Sequence, residues 1–101
     1  EEIFLTSILR LKDEAYGVAI RKNIEKVTGR NIAYGTLYNI LAQLVRKGYV
    51  FKSRGNPTAE RGGRSKMFYS LTSSGVKALQ EARDLQKMIW GDLPEIAQNE
   101  I

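Results

Sequence analysis

The sequence predicts a mainly α-helical fold carrying one small β-hairpin. Three observations predict it. Apolar residues recur at helical spacing at Ile3, Phe4, Ile8 and Leu11, at Tyr16, Ile20, Ile24 and Val27, and at Leu37, Ile40, Leu41 and Leu44. After Gly48 the period changes to two, over residues 49–54 and again over 65–71. From residue 73 to 90 a helical pattern returns, with more apolar surface than a core of this size can cover. The 101 residues suffice for one modest core with a helical appendage.

Composition narrows the chemistry. The chain has no Cys, so disulfides, thiolate metal sites and Cys nucleophiles are excluded. It has no His, which removes imidazole ligands and the commonest general base. Asp13, Glu14 and Asp84 are isolated carboxylates that assemble into no catalytic constellation. The chain is therefore expected not to be an enzyme, and to need neither metal nor cofactor. No run of 18 apolar residues and no signal peptide is visible, so a cytoplasmic protein without a membrane span is expected. The net charge is +5. It is concentrated between Arg30 and Lys66, where Arg30, Arg46, Lys47, Lys52, Arg54, Arg61, Arg64 and Lys66 face Glu60 alone. A basic middle between near-neutral flanks is the footprint of a polyanion-binding face, although a solvated basic surface has the same composition.

The first helix closes over residues 3–11. Lys12-Asp13-Glu14 is a polar break in which Asp13 is placed to cap the next helix. That second helix spans about residues 15–27, with Arg21, Lys22, Glu25 and Lys26 facing water. Gly17 either admits a neighbouring backbone or is simply tolerated. Gly29 is placed for a left-handed cap, and Ile32 for a short strand-like pairing.

Residues 33–48 organise the rest. At about 100° per residue, Gly35, Tyr38, Asn39, Ala42 and Arg46 point away from the apolar stripe. This outer face is small or flat at its start and basic at its end, unlike the Glu/Lys lattice of a solvated helix. Such a face can lie close against a large flat partner. Alone, the pattern also fits an ordinary amphipathic core helix; its neighbours decide. Two helices joined by a short Gly-containing turn have the layout of a helix-turn-helix, whose second helix enters the DNA major groove.

In the hairpin, Met67, Tyr69 and Leu71 are expected to face the core, and Lys66, Phe68 and Ser70 the other side. The ten residues from Gly55 to Arg64 form a long basic loop between the strands. Attached to a helix-turn-helix, this hairpin is a wing, with Arg61, Arg64 and Lys66 able to reach phosphates or an adjacent minor groove. The competing reading is a plain surface loop.

Thr72 is placed to cap the last helix. Val76 and Leu79 can return to the core. Ala78, Ala82, Leu85 and Ile89 step by coiled-coil intervals, and Met88, Trp90 and Leu93 extend the apolar surface. A second copy of the chain is the simplest cover for it. The expected division is thus a winged helix-turn-helix DNA-binding domain over residues 1–72 and a C-terminal dimerisation helix and tail over 73–101. The predicted dimer contacts are Ala78, Ala82, Leu85, Met88, Ile89 and Trp90.

Three motifs, in order, resemble the PadR family of bacterial transcriptional regulators. Ala15-Tyr16-Gly17 is similar to the family's "YG" element. Gly35-Thr36-Leu37-Tyr38, with Leu41, Leu44 and Gly48, resembles its recognition helix. Gly62-Gly63-Arg64 through Leu71-Thr72 to Gly75 resembles its wing and strand. Asn39 stands where the family often has Pro, and Phe68 where Tyr is common. The resemblance implies a winged helix-turn-helix homodimer, usually a repressor, on a pseudo-palindromic operator, with the single C-terminal helix as dimer interface. It also implies aromatic or drug-like effectors in some relatives.

On this basis Tyr34, Gly35, Thr36, Tyr38 and Asn39 are expected at double-stranded DNA, with Arg46, Lys47, Arg61, Arg64 and Lys66 supplying charge. Asn39 is the candidate for reading adenine, because its amide pairs two base-edge groups at once. Tyr38 has packing against the wing as its alternative role. Met88 and Trp90 suit a flat aromatic effector, or else only pack the dimer. A winged helix serving as a protein-interaction module is the alternative function; it calls for an apolar or acidic recognition face.

Overall fold

A computed structural model describes residues 2–55 and 66–91. The order is α1 (Glu2–Leu11), a 3-10 turn (Lys12–Glu14), α2 (Gly17–Thr28), α3 (Tyr34–Arg46), β1 (Val50–Arg54), β2 (Met67–Leu71) and α4 (Ser73–Gly91). Arg61, Arg64, the rest of the predicted loop tip, and Leu93 lie outside the described residues.

The core is assembled from one face of each element. Phe4, Leu5 and Ile8 of α1, Ile20 and Ile24 of α2, Leu37, Leu41 and Leu44 of α3, Val50 of β1 and Tyr69 of β2 form one buried cluster with Ala15. Met67, Leu71 and Leu79 pack against it as half-buried neighbours. The strands pair antiparallel, Val50 opposite Leu71 and Arg54 opposite Met67. Gly29 takes the expected left-handed conformation at φ 72°, and its N–H donates to the Glu25 carbonyl at 2.7 Å.

The structure corrects four expectations. Asp13 does not cap α2: it lies in the 3-10 turn, and Tyr16 holds the cap position in extended conformation without a side-chain bond. The reason is the hairpin. The Tyr69 N–H donates to the Ala15 carbonyl at 2.8 Å, and Tyr16 pairs with Phe68 in an isolated bridge. The chain must stay extended there, so the helix starts two residues late. Ile32, expected to make a strand-like pairing, lies outside any strand; that contact with the sheet belongs to Tyr16. Val27 is exposed because the end of α2 runs past the core. Val76 is exposed as well, facing a groove between α1 and α4 rather than the core.

α4 is fixed at its start. The Gly75 N–H donates to Thr72 Oγ1 at 3.0 Å, and the Thr72 N–H to the Tyr49 carbonyl at 3.0 Å. A Cβ on Gly75 would overlap the Tyr49 carbonyl group, so the helix backbone approaches the chain just ahead of β1 only because this residue has no side chain. Beyond Ala82 the helix leaves Leu85, Met88, Ile89 and Trp90 exposed.

Candidate nucleic-acid interface

The interface candidate is the outer side of α3 with the clefts beside it. Burial of Leu37, Leu41 and Leu44 fixes the roll of the helix. That roll leaves Tyr34, Gly35, Thr36, Tyr38, Asn39, Ala42, Gln43 and Arg46 exposed. Lys47 follows as the C-cap residue, and its N–H donates to the Gln43 carbonyl at 2.9 Å. The predicted α3 residues therefore share one surface. No packing requirement within the described chain holds Gly35 small, since an added Cβ would meet nothing within 4 Å.

Tyr38 is bound to its own domain as well as open to a partner. A Cβ on Gly17 would overlap its hydroxyl oxygen, so what presses on Gly17 is this side chain and not the neighbouring backbone that the sequence suggests. Tyr34 stacks beside it, ring centroids 6.4 Å apart and planes 19° from parallel. Tyr38 divides two clefts. One is lined by Gly17, Val18, Lys22, Lys66 and Tyr69, the other by Ala42, Val45, Arg46, Lys52 and Tyr69. Basic side chains line both, and among the described residues no carboxylate does. Burial, and secondarily the neighbouring Tyr38 hydroxyl, raises the Tyr69 phenol above its ordinary value.

Lys66 is tied into the domain. Its ammonium lies 3.6 Å from the centroid of the Tyr16 ring, and Tyr16 meets Phe68 edge-on at 5.7 Å. Phe68 thus serves to dock the hairpin on the start of α2. Arg21 departs from its predicted solvent position: its Nε donates to the Ile32 carbonyl at 2.7 Å, and its guanidinium lies over the Tyr34 ring at 4.6 Å. The turn between α2 and α3 brings the backbone back over the helix, which a helical wheel of α2 alone does not contain.

The sequence pattern alone does not mark Lys22 and Lys52 as residues of this face. The signal for Lys52 was present, since strand alternation sets it opposite Phe51. Lys22 reads as one more solvated helix cation until the hairpin is placed beside it. At the far end of the molecule, the predicted dimer contacts Ala78 and Ala82 are half-buried, while Leu85, Met88, Ile89 and Trp90 are exposed. Trp90 Nε1 donates to Gln86 Oε1 at 3.1 Å, one turn away on the same helix.

The fold is shared with solved structures. A transcriptional regulator from Clostridium thermocellum is 26% identical, with 93% of this chain covering 91% of that one at a TM-score of 0.67. A PadR family transcription regulator from Clostridium difficile is 24% identical over 90% of this chain and 93% of that one, TM-score 0.70. F93 from STIV, a winged-helix DNA-binding protein, is 20% identical over 87% of each chain, TM-score 0.67. Among curated protein sequences none matches significantly. Residues 5–81 match the family described as the transcriptional regulator PadR-like family. The chain therefore belongs to the PadR-like family of transcriptional regulators.

Proposed function

We propose that the protein is a sequence-specific DNA-binding regulator that acts as a homodimer on a pseudo-palindromic operator, most simply as a repressor in the cytoplasm. The observation that carries this reading is the exposed side of α3: flat and uncharged where Gly35 and Thr36 lie, and flanked by clefts that hold Lys22, Lys66, Arg46 and Lys52. An acidic or apolar face, as a protein-interaction module would need, is not what α3 presents.

In this mechanism α3 lies in the major groove. Asn39 pairs with an adenine edge, and Tyr34, Thr36 and Tyr38 fix register through phosphates. Arg46, Lys47 and Lys52 attract the backbone on one side and Lys22 and Lys66 on the other, and Arg61 and Arg64 add to the positive charge. Ala78, Ala82, Leu85, Met88, Ile89 and Trp90 join two copies, spacing the two recognition helices for two half-sites. An aromatic effector held by Met88 and Trp90 would release DNA by favouring a dimer geometry that misplaces those helices.

The direct test is competition binding to the intergenic DNA upstream of the protein's own gene, at two salt concentrations, against random-sequence DNA. Tight binding that survives competitor and weakens steeply with salt is expected. Absence of binding even at low salt would overturn the reading in favour of a protein partner.

A further inference from the structure

α3 starts without the device that usually steadies a helix. Ala33 holds its cap position and makes no side-chain bond to the first turn. Its second residue is Gly35, which favours fraying. Yet this turn must present Tyr34, Thr36, Tyr38 and Asn39 in fixed geometry if it is to read base edges.

A bracket made by α2 supplies the missing support. Arg21 Nε donates to the Ile32 carbonyl at 2.7 Å, holding the backbone two residues before the helix begins. The same guanidinium covers the Tyr34 ring at 4.6 Å. Tyr34 stacks on Tyr38, and the hydroxyl end of Tyr38 rests against the bare backbone of Gly17. Gly17 and Arg21 are four residues apart in α2, one turn on the same face. The bracket therefore leaves α2 at Arg21, crosses both tyrosines and returns to α2 at Gly17. Both rings remain 45% exposed, so each still offers a surface to a partner. The guanidinium, in contrast, is engaged through its Nε and its ring-facing plane.

We propose that Arg21 is a positioning residue for DNA sequence recognition: it sets the first turn of α3 through Ile32 and Tyr34 and does not serve as a phosphate contact. The proposal rests on the DNA-binding reading above. Its effect is on discrimination, not on general attraction. Base-edge hydrogen bonds are lost when a side chain shifts by about an ångström, whereas phosphate attraction tolerates that shift.

The test uses the full chain and its Arg21→Gln and Arg21→Lys variants. Binding is measured to a duplex of the upstream intergenic DNA, to its single-base-pair variants and to a random-sequence duplex, over a range of salt. Amide hydrogen exchange in the free protein is measured in parallel. For Arg21→Gln, preference for the upstream duplex should fall by roughly ten-fold, the scale of a lost cation–ring contact plus hydrogen bond. Affinity for random DNA and the salt slope should stay as in the parent, and exchange should quicken over residues 37–40, the first amides of α3 with a helical acceptor. Arg21→Lys retains the charge but not the planar fork, so it should lose preference in the same direction while keeping the slope. It also carries the test should the Gln variant fail to fold. A parallel loss on both DNAs with a salt slope lower by about one would make Arg21 a phosphate contact and overturn the proposal. So would a folded variant with unchanged preference and unchanged exchange. A parent protein that cannot tell the upstream duplex from random DNA overturns the function reading itself, a failure separated from the first by the exchange measurement, which needs no DNA.

Discussion

α3 and α4 make opposite use of amphipathicity. α3 buries Leu37, Leu41 and Leu44 at 0% exposure, keeps Ile40 half-buried against the core, and shows water two tyrosines among small, polar and basic groups. α4 buries only Gly75 outright and leaves Leu85, Met88 and Ile89 at 55%, 69% and 50% exposure. The first arrangement is complete in water. The second leaves unused a burial worth about 25 cal/mol per Å². The difference matches the two kinds of partner proposed for the two ends. A finished polar and basic face suits a polyanion, and an unfinished apolar face suits another apolar face, most simply its own copy.

The largest effect should come from breaking the α4 side of this contrast. Replacing Leu85 and Ile89 together with Glu puts charge into the proposed seam while altering two positions already exposed in the single chain. The domain should stay folded, sedimentation should report a monomer, and affinity for a two-half-site operator should drop by on the order of 100-fold or more, because each half-site then binds alone. Binding of random DNA should fall far less. A double variant that still sediments as a dimer would remove these residues from the interface.

On the α3 side, Gly35→Ala should separate stability from recognition. The position is helical, and the added methyl meets nothing within 4 Å. Alanine there should raise unfolding stability by roughly 0.5–1 kcal/mol. If the bare backbone lies against DNA, operator affinity should meanwhile fall by about ten-fold, as expected for a misfit at a close-packed contact. Thermal unfolding and DNA titration on one preparation decide the matter. A variant that gains stability and loses no affinity would show that the start of α3 is not where DNA approaches.

What the sequence made legible, and what it hid, follows from how many residues carry each signal. The helices, the hairpin and the exposed side of α3 were readable because each repeats a period over several turns or alternations. The extended pair Ala15-Tyr16 was not, because two residues carry no period; its conformation is imposed by Tyr69 and Phe68, more than fifty residues away. Arg21 was misplaced for a related reason. Its sequence neighbours are those of a solvated helix cation, and only the returning turn at Ile32 gives it a part-buried acceptor. Val27 and Val76 show the limit of the stripe itself, which identifies the inward face of a helix but not how far the neighbouring element extends along it.

The smallest effect expected is a titration, and it reports from beneath α3 alone. Burial first, and the adjacent Tyr38 second, raise the Tyr69 phenol above the usual tyrosine value of 10.0. The folded chain then keeps this proton at a pH where the unfolded chain releases it. Stability linked to Tyr69 is intact below about pH 10 and is lost as pH climbs toward the folded-state value, with a slope of at most about 1.4 kcal/mol per pH unit. Tyr69→Phe removes the ionisation, so the parent should lose stability relative to this variant only above about pH 10 in denaturant titrations. A stability difference between parent and variant that stays constant from pH 8 to about 11 would mean that Tyr69 ionises as readily in the fold as in the open chain, and that the packing under Tyr38 is looser than the buried ring implies.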